Sequence, residues 1–377
     1  MVAAASLVVA VGTATGMLSA LGDRVGSDEA RPGLVGGSPS PDSPAAVTSA
    51  SGPASPSVPA PASPSPSGRP SASPSAKKAS SGSAKARVTA TRLYRHPSSQ
   101  VLDWVRDNPR DWRADVIESR IADRPAAVWF ADYTPATITS RVRAVTSGGA
   151  AQGRVPVLVP YAIPDRDCGG ASEGGAPDLG AYDAWIDRFA AGLGSREVVV
   201  VLEPDAIAQS DCLPAAGRAD RFASLARAGR VLKAANPEAR VYYDAGHSGW
   251  RPASEQAALL KQAGAASAAS SDGIFSNVSN FHTTSAEIAY DRRVLDSLAG
   301  PPSLGAVIDT SRNGNGAPSD GEWCDPAGRK IGRPPTLNTG EAEVDAYLWV
   351  KLPGESDGCK GTPGAFSPSY AYELASP

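Results

Sequence analysis

Basic charge is not in surplus here: 36 lysines and arginines meet 39 aspartates and glutamates over 377 residues, a formal net charge of -3. A surface built to neutralise phosphates carries the opposite balance, so nucleic acid is excluded as a partner. Histidine is scarce, and His96, His247 and His282 offer no H-E-x-x-H spacing for a zinc hydrolase. Cys168, Cys212, Cys324 and Cys359 contain no C-x-x-C pair, which disfavours a metal. No P-loop occurs, and Asn313-Gly314-Asn315-Gly316 lacks the Gly-x-Gly-x-x-Gly pattern of a dinucleotide cradle. Gly246-His247-Ser248-Gly249-Trp250 falls short of the G-x-S-x-G elbow of a serine hydrolase.

Proline, in contrast, is abundant, and it is concentrated. Residues 31–90 hold 12 Pro and 16 Ser among alanines, with almost no aromatic or large aliphatic side chain. Such a stretch cannot bury a core, so residues 23–87 are expected to be a disordered Ser/Pro/Ala-rich linker, suited to O-glycosylation. Ahead of it, residues 1–22 carry no charge and include the apolar run 3–11. That segment is expected to be a signal peptide or a membrane anchor. Folded chain is expected over 88–377, with a net charge of -6. Its roughly 290 residues suit one α/β barrel. All four cysteines fall inside it, and an even number in an exported protein reads as disulfides. Three pairings are open, of which Cys168 with Cys212 and Cys324 with Cys359 would each staple a local loop.

Seven short runs, 127–130, 155–161, 198–202, 241–244, 273–277, 306–309 and 346–351, are apolar on both faces and predict buried parallel strands. Helical periodicity over 137–146, 182–193, 219–235, 254–263 and 285–298 alternates with them. The alternation implies an α/β barrel or a doubly wound sheet. Tyr161, Glu203, Asp205, Asp244, Asn277, Asp309 and Lys351 fall at or just after strand C-termini, where barrel enzymes keep their chemistry. Any one of them is a fair helix cap or turn residue, but so many on one rim point to a site. With metal, nucleotide and serine chemistry set aside, carboxylates remain. Glycosidic hydrolysis needs a protonated carboxyl for the leaving oxygen and, with inversion, a second group to activate water. Tryptophans to stack on sugar faces complete the set.

The runs 161–168 (Tyr161 to Cys168), 202–206 (Leu202-Glu203-Pro204-Asp205-Ala206), 243–250 (Tyr243 to Trp250), 308–316, 322–324 and 349–358 resemble glycoside hydrolase family 6, in the same order. The resemblance covers about residues 90–377 and implies a distorted parallel β/α barrel of about seven strands. It also implies inverting hydrolysis of β-1,4-glucan with no metal or organic cofactor. By the same resemblance Asp205 is the catalytic acid, and Asp167 keeps that acid protonated and helps to activate water. Tyr161 lies under the distorted sugar. The base is either Asp357 or a water relay through Asp167. Asp244, His247, Trp250 and Asn277 resemble sugar-binding residues, Trp323 a stacking platform, and Lys351 and Glu355 the polar floor beside Asp357. The implied disulfides are Cys168 with Cys212 and Cys324 with Cys359. Trp112, Trp185 and Trp349 are read as core.

The compact stretch between Cys324 and Cys359, and the short run from there to Pro377, leave little chain for a roof, so an open cleft and endo cleavage are expected. A cellobiohydrolase of the same family is the alternative, as is a wall-tethered glucan-binding protein without turnover. The presence of Asp167, Asp205 and Asp357 together favours an enzyme. Ser279-Asn280-Phe281-His282 stands where the family more usually has Ala-Asn-Tyr-Asn, and Ala206-Ile207 where it has Ser-Leu, which bears on subsite preference. No Trp-rich module lies between 23 and 88, so weak action on crystalline cellulose is expected. The protein is expected to be an extracellular monomer, secreted or tethered to membrane or cell wall through its N-terminus.

Overall fold

Residues 92–377 are described by a computed structural model; the segment expected to direct export and the linker, 1–22 and 23–87, lie outside the described residues. Runs of valine and isoleucine form seven strands: β1 (Val128–Phe130), β2 (Val157–Pro160), β3 (Val198–Leu202), β4 (Ala239–Asp244), β5 (Gly273–Ser276), β6 (Gly305–Asp309) and β7 (Val344–Leu348). They pair in sequence order, all parallel. The sheet curls until its edges approach. There, in place of a full ladder, the Ala127 amide donates to Trp349 O (2.9 Å) and Trp129 Nε1 to Val350 O (2.8 Å). The result is a distorted, incompletely closed barrel.

Burial on both faces explains the continuous apolar strands. Val157, Val159, Val199, Val201, Tyr242, Phe275, Val307 and Leu348 cluster with one another and fill the interior. Their neighbours Leu158, Val198, Val200, Leu202, Val241, Tyr243 and Ile274 pack outward on helices. Those helices are α1 (Gln100–Asp107), α2 (Ala114–Ile117), α3 (Ile138–Ala151), α4 (Leu179–Ala190), α5 (Ala215–Ala235), α6 (Ala253–Gln262), α7 (Thr284–Leu298) and α8 (Pro368–Ala375). A π-helical turn, Glu118–Ala122, follows α2.

Three expectations need revision. β7 ends at Leu348 rather than 351, because the Val350 and Lys351 amides donate to the Asp309 carboxylate (3.3 and 3.0 Å) instead of a neighbouring strand. α3 continues past 146 through Gly148 and Gly149; a Cβ on Gly149 would stand 2.9 Å from the Pro156 ring, so only glycine lets the helix lie that close. Trp185 and Trp349 are buried as expected, but Trp112 is 72% exposed, its ring set edge-on to Tyr372 at 4.5 Å on the surface. Short helices α1 and α8, capped by Ser99 and Ser367, escaped the periodicity reading; they close one flank through Val101, Ile117, Ile121, Trp349, Leu352 and Ala371.

Candidate active site

At the C-terminal ends of the strands the backbone turns sharply. Glu203 and Asp205 after β3, Asn277 and Ser279 after β5, and Asp165, Asp167 and Cys168 after β2 all have positive φ, between 47° and 68°. Each such residue costs about 1 kcal/mol or more, and it persists where surrounding bonds over-determine it. Glu203 supplies several of those bonds. Its buried carboxylate accepts from the Ala162 amide (2.9 Å) and the Ile163 amide (3.0 Å), fastening the β3 loop to the β2 loop. Burial pushes its pKa up to about 7.

A cleft of about 1190 Å³ opens over this rim, with Tyr161, Asp167 and Asp205 in its floor. Asp205 shows an edge to the cleft and is otherwise packed in protein. Burial, then the carboxylates of Asp244 and Asp167, push its pKa well above the ordinary value, which favours its protonated form. Asp167 accepts from the Ser172 amide (2.7 Å). Arg166 donates to Ser172 O (2.7 Å), Ala131 O (2.6 Å) and Tyr161 O, with its guanidinium 4.6 Å over the Tyr161 ring. Trp129 packs edge-on to the same ring at 5.2 Å. The disulfide Cys168–Cys212 then ties the Asp167 loop to the chain beyond Asp205. Both aspartates therefore sit on loops joined by a covalent bond and by Glu203.

Asp357 lines the same cleft. It accepts from Arg312 Nη1 (2.6 Å) and the Asp325 amide (3.1 Å), and Lys351 Nζ lies 3.4 Å from its second oxygen. Arg312 is fully buried, donates also to Ser279 O, and lies 4.5 Å over the Phe281 ring. Glu355 lines the cleft nearby, and burial pushes it up to about 7 against the pull of Lys351 and Arg312. The disulfide Cys324–Cys359 holds this wall to the segment bearing Trp323. Beyond β4, His247 stacks on His282 at 4.3 Å and faces Trp250 at 5.2 Å. Burial, then His282, push His247 down to about 3, so the ring is neutral and can both give and take a hydrogen bond.

The sequence profile of glycosyl hydrolases family 6 matches residues 83–373. The chain belongs to that family. It is therefore a glycoside hydrolase, and the family's curled seven-stranded barrel is the fold described above. Among its relatives, Endoglucanase 1 of Streptomyces sp. (strain KSM-9) is 55% identical over 284 residues, covering 75% of this chain and 77% of the relative. Endoglucanase A of Thermobispora bispora is 50% identical over 283 residues, covering 75% of this chain and 61% of the relative. Of solved structures, the endoglucanase Cel6 of Mycobacterium tuberculosis, in complex with methyl-cellobiosyl-4-deoxy-4-thio-beta-D-cellobioside, matches with TM-score 0.70 at 39% identity, over 75% of this chain and 96% of that one. The cellobiohydrolase Cel6A core of Chaetomium thermophilum, TM-score 0.61 at 22% identity over 76% of this chain and 97% of that one, shares the fold.

In this family 6 chain the cleft gathers Tyr161, Asp167, Asp205, His247, Trp250, Trp323, Lys351, Glu355 and Asp357. Two residues expected to touch sugar sit elsewhere. Asp244 is buried beneath Asp205, its carboxylate accepting from the Ile207, Ala208 and Gly246 amides (3.1, 2.8 and 2.9 Å). Asn277 is also buried, bonding His282 O (3.1 Å), Asp309 O (2.8 Å) and the His282 amide (3.0 Å). With their polar atoms engaged by backbone, both shape loops from below. Sequence reasoning passed over Arg166, Arg312 and Trp129. A cation three residues past the rim aspartate Asp309 was the available signal for Arg312; nothing in sequence places Trp129 beside Tyr161.

Proposed function

We propose that this glycoside hydrolase is an endo-acting β-1,4-glucanase that cleaves internal bonds of cellulose or a related β-glucan with inversion. The observation that carries the reading is Asp205 and Asp167 lining one cleft, the former pushed well above the ordinary carboxyl range by burial and its neighbours, with the lip residue Trp323 59% exposed. An uncovered lip suits a chain entering sideways at any point along its length. The relatives that are 42% to 55% identical are named endoglucanases, whereas those named cellobiohydrolases are 30% identical, which favours the same mode.

Asp205 gives its proton to the glycosidic oxygen as that bond breaks, and water attacks the anomeric carbon from the opposite face. Tyr161, steadied by Trp129 and Arg166, supports the distorted ring; burial, then Asp205 and Asp167, keep its phenol neutral. The attacking water passes its proton through a second water to Asp167. What favours this route over Asp357 is that Asp357 already accepts from Arg312 and the Asp325 amide, with Lys351 at its other oxygen. Asp357 is assigned to holding those cations at the cleft floor, with His247, Trp250, Trp323 and Glu355 binding neighbouring sugars. Two disulfides support an oxidising, extracellular setting, with 88–377 as the catalytic domain of a monomer and 1–22 as its route to export or a tether.

Carboxymethylcellulose tests the reading. The full chain should lower viscosity faster than it releases reducing ends, and Asp205→Ala should lose about 10²- to 10⁴-fold in kcat with substrate affinity kept. Cellobiose as nearly the sole early product would replace endo with exo action. Oligosaccharide binding without turnover in the wild type would point to a glucan-binding protein.

A further inference from the structure

Helix α7 runs behind the wall that carries His247 and Trp250; two of its buried residues reach that wall and a third reaches the end of β5. Glu287 Oε1 accepts from the Ser248 amide (3.0 Å), Tyr290 Oη donates to Ala245 O (3.1 Å), and Asp291 Oδ2 accepts from Ser276 Oγ (3.0 Å). Glu287 and Asp291 are wholly inaccessible to solvent. They stand four residues apart on one helix face, within side-chain reach of each other. The remaining oxygen of each, Glu287 Oε2 and Asp291 Oδ1, is buried with no hydrogen-bond partner among the described residues. Two adjacent carboxylates without a cation cannot both ionise in such a place at ordinary cost.

We propose that Glu287 and Asp291 are a positioning pair that holds one proton between them and, through the Ser248 amide, keeps His247 and Trp250 in place for the sugar. The pair rests on the glucanase reading for what the wall binds, but its own chemistry is independent of it. The shared proton gives each orphaned oxygen a partner and removes the repulsion. Burial raises both acids, and for Asp291 the Glu287 carboxylate adds to it. Neighbouring titratable groups do not supply a rival cation. Tyr290 lies on the same helix, Asp244 and Arg251 act on Tyr290 from the β4 side, Asp309 at the end of β6 is bonded to amides, and Glu255 and Lys261 of α6 are exposed. Because the Ser248 amide favours ionised Glu287, the shared proton rests with Asp291, and the clamp, present at low pH, is lost as pH rises through the pair's last ionisation, when two like charges meet.

Hydrogen exchange at the amides of residues 245–251, corrected for intrinsic rate, reads the clamp without any substrate, and KM for a soluble cello-oligosaccharide reads its consequence. Between about pH 5 and about pH 9, wild-type protection should fall about tenfold while KM rises by a similar factor. Glu287→Gln keeps an acceptor for Ser248 and donates permanently to Asp291, so protection should stay high at both pH values. Asp291→Asn should behave likewise, and Glu287→Ala should lose protection at both. Wild-type protection independent of pH, or pH-dependent protection surviving in Glu287→Gln, would overturn the proposal even if Glu287→Ala fails to fold. A protein that shows the expected exchange pattern but hydrolyses no β-1,4-glucan would keep the pair and refute the glucanase reading.

Discussion

As the proposed acid, Asp205 works only while it keeps a proton, and three causes favour that form: burial, Asp244 and Asp167. Removing the charge of Asp167 lowers the pKa of Asp205, so the proton leaves at lower pH. In Asp167→Asn the alkaline limb of kcat/KM on a soluble cello-oligosaccharide should therefore move down by about one pH unit, beyond any loss of rate. An unmoved limb would take Asp167 out of the set that governs the acid. At this scale the sequence was legible in the recognisable runs that bring Asp205 and Asp167 to one cleft. Asp244 and Asn277 were misplaced because a polar residue after a strand reads alike whether it faces a ligand or binds loop amides from beneath, and the choice depends on which side of the rim it faces.

Loops, as elements, depend on single carboxylates. Asp325, itself at positive φ, accepts from Ser356 Oγ (2.6 Å) and from the amides of Asp357 (2.8 Å), Cys359 (3.0 Å) and Lys360 (2.8 Å). Burial alone would raise its pKa, but those donors outweigh it and hold the carboxyl below the ordinary range. Asp325→Ala leaves several buried donors unpaired and should cost about 3 kcal/mol in urea unfolding. With the Asp357 wall loosened, turnover on soluble glucan should fall as well; full stability in that variant would show that the Cys324–Cys359 bond suffices to hold the loop. The strands and long helices were legible because period and length announce them. The end of β7 was not, since a side chain from β6 intercepts its amides, and α1 and α8 were not, since eight residues carry too little periodicity to stand out.

Across the molecule, several buried acids have raised pKa values, while Asp111, bonded to Arg113, is lowered to about 2. Glu203 moves from 4.5 to about 7, so its contribution to stability is complete below pH 4.5 and is lost as pH rises through about 7. Asp111 contributes above its ordinary value of 3.8 and loses that contribution as pH falls toward 2. The thermal midpoint should accordingly peak near about pH 5 and decline by about pH 8, measurable by calorimetry. A midpoint still rising at pH 8 would mean that the buried acids are ionised without penalty. Composition and pattern alone were enough to specify seven two-faced strands and the disulfide bonding of the four cysteines, because burial and period are written locally. Which carboxylates meet in one cleft and which lie under it was settled by the curl of the sheet. That curl brings loops from β2, β3, β4 and β7 around one cleft, and such convergence depends on long-range packing that no local run encodes.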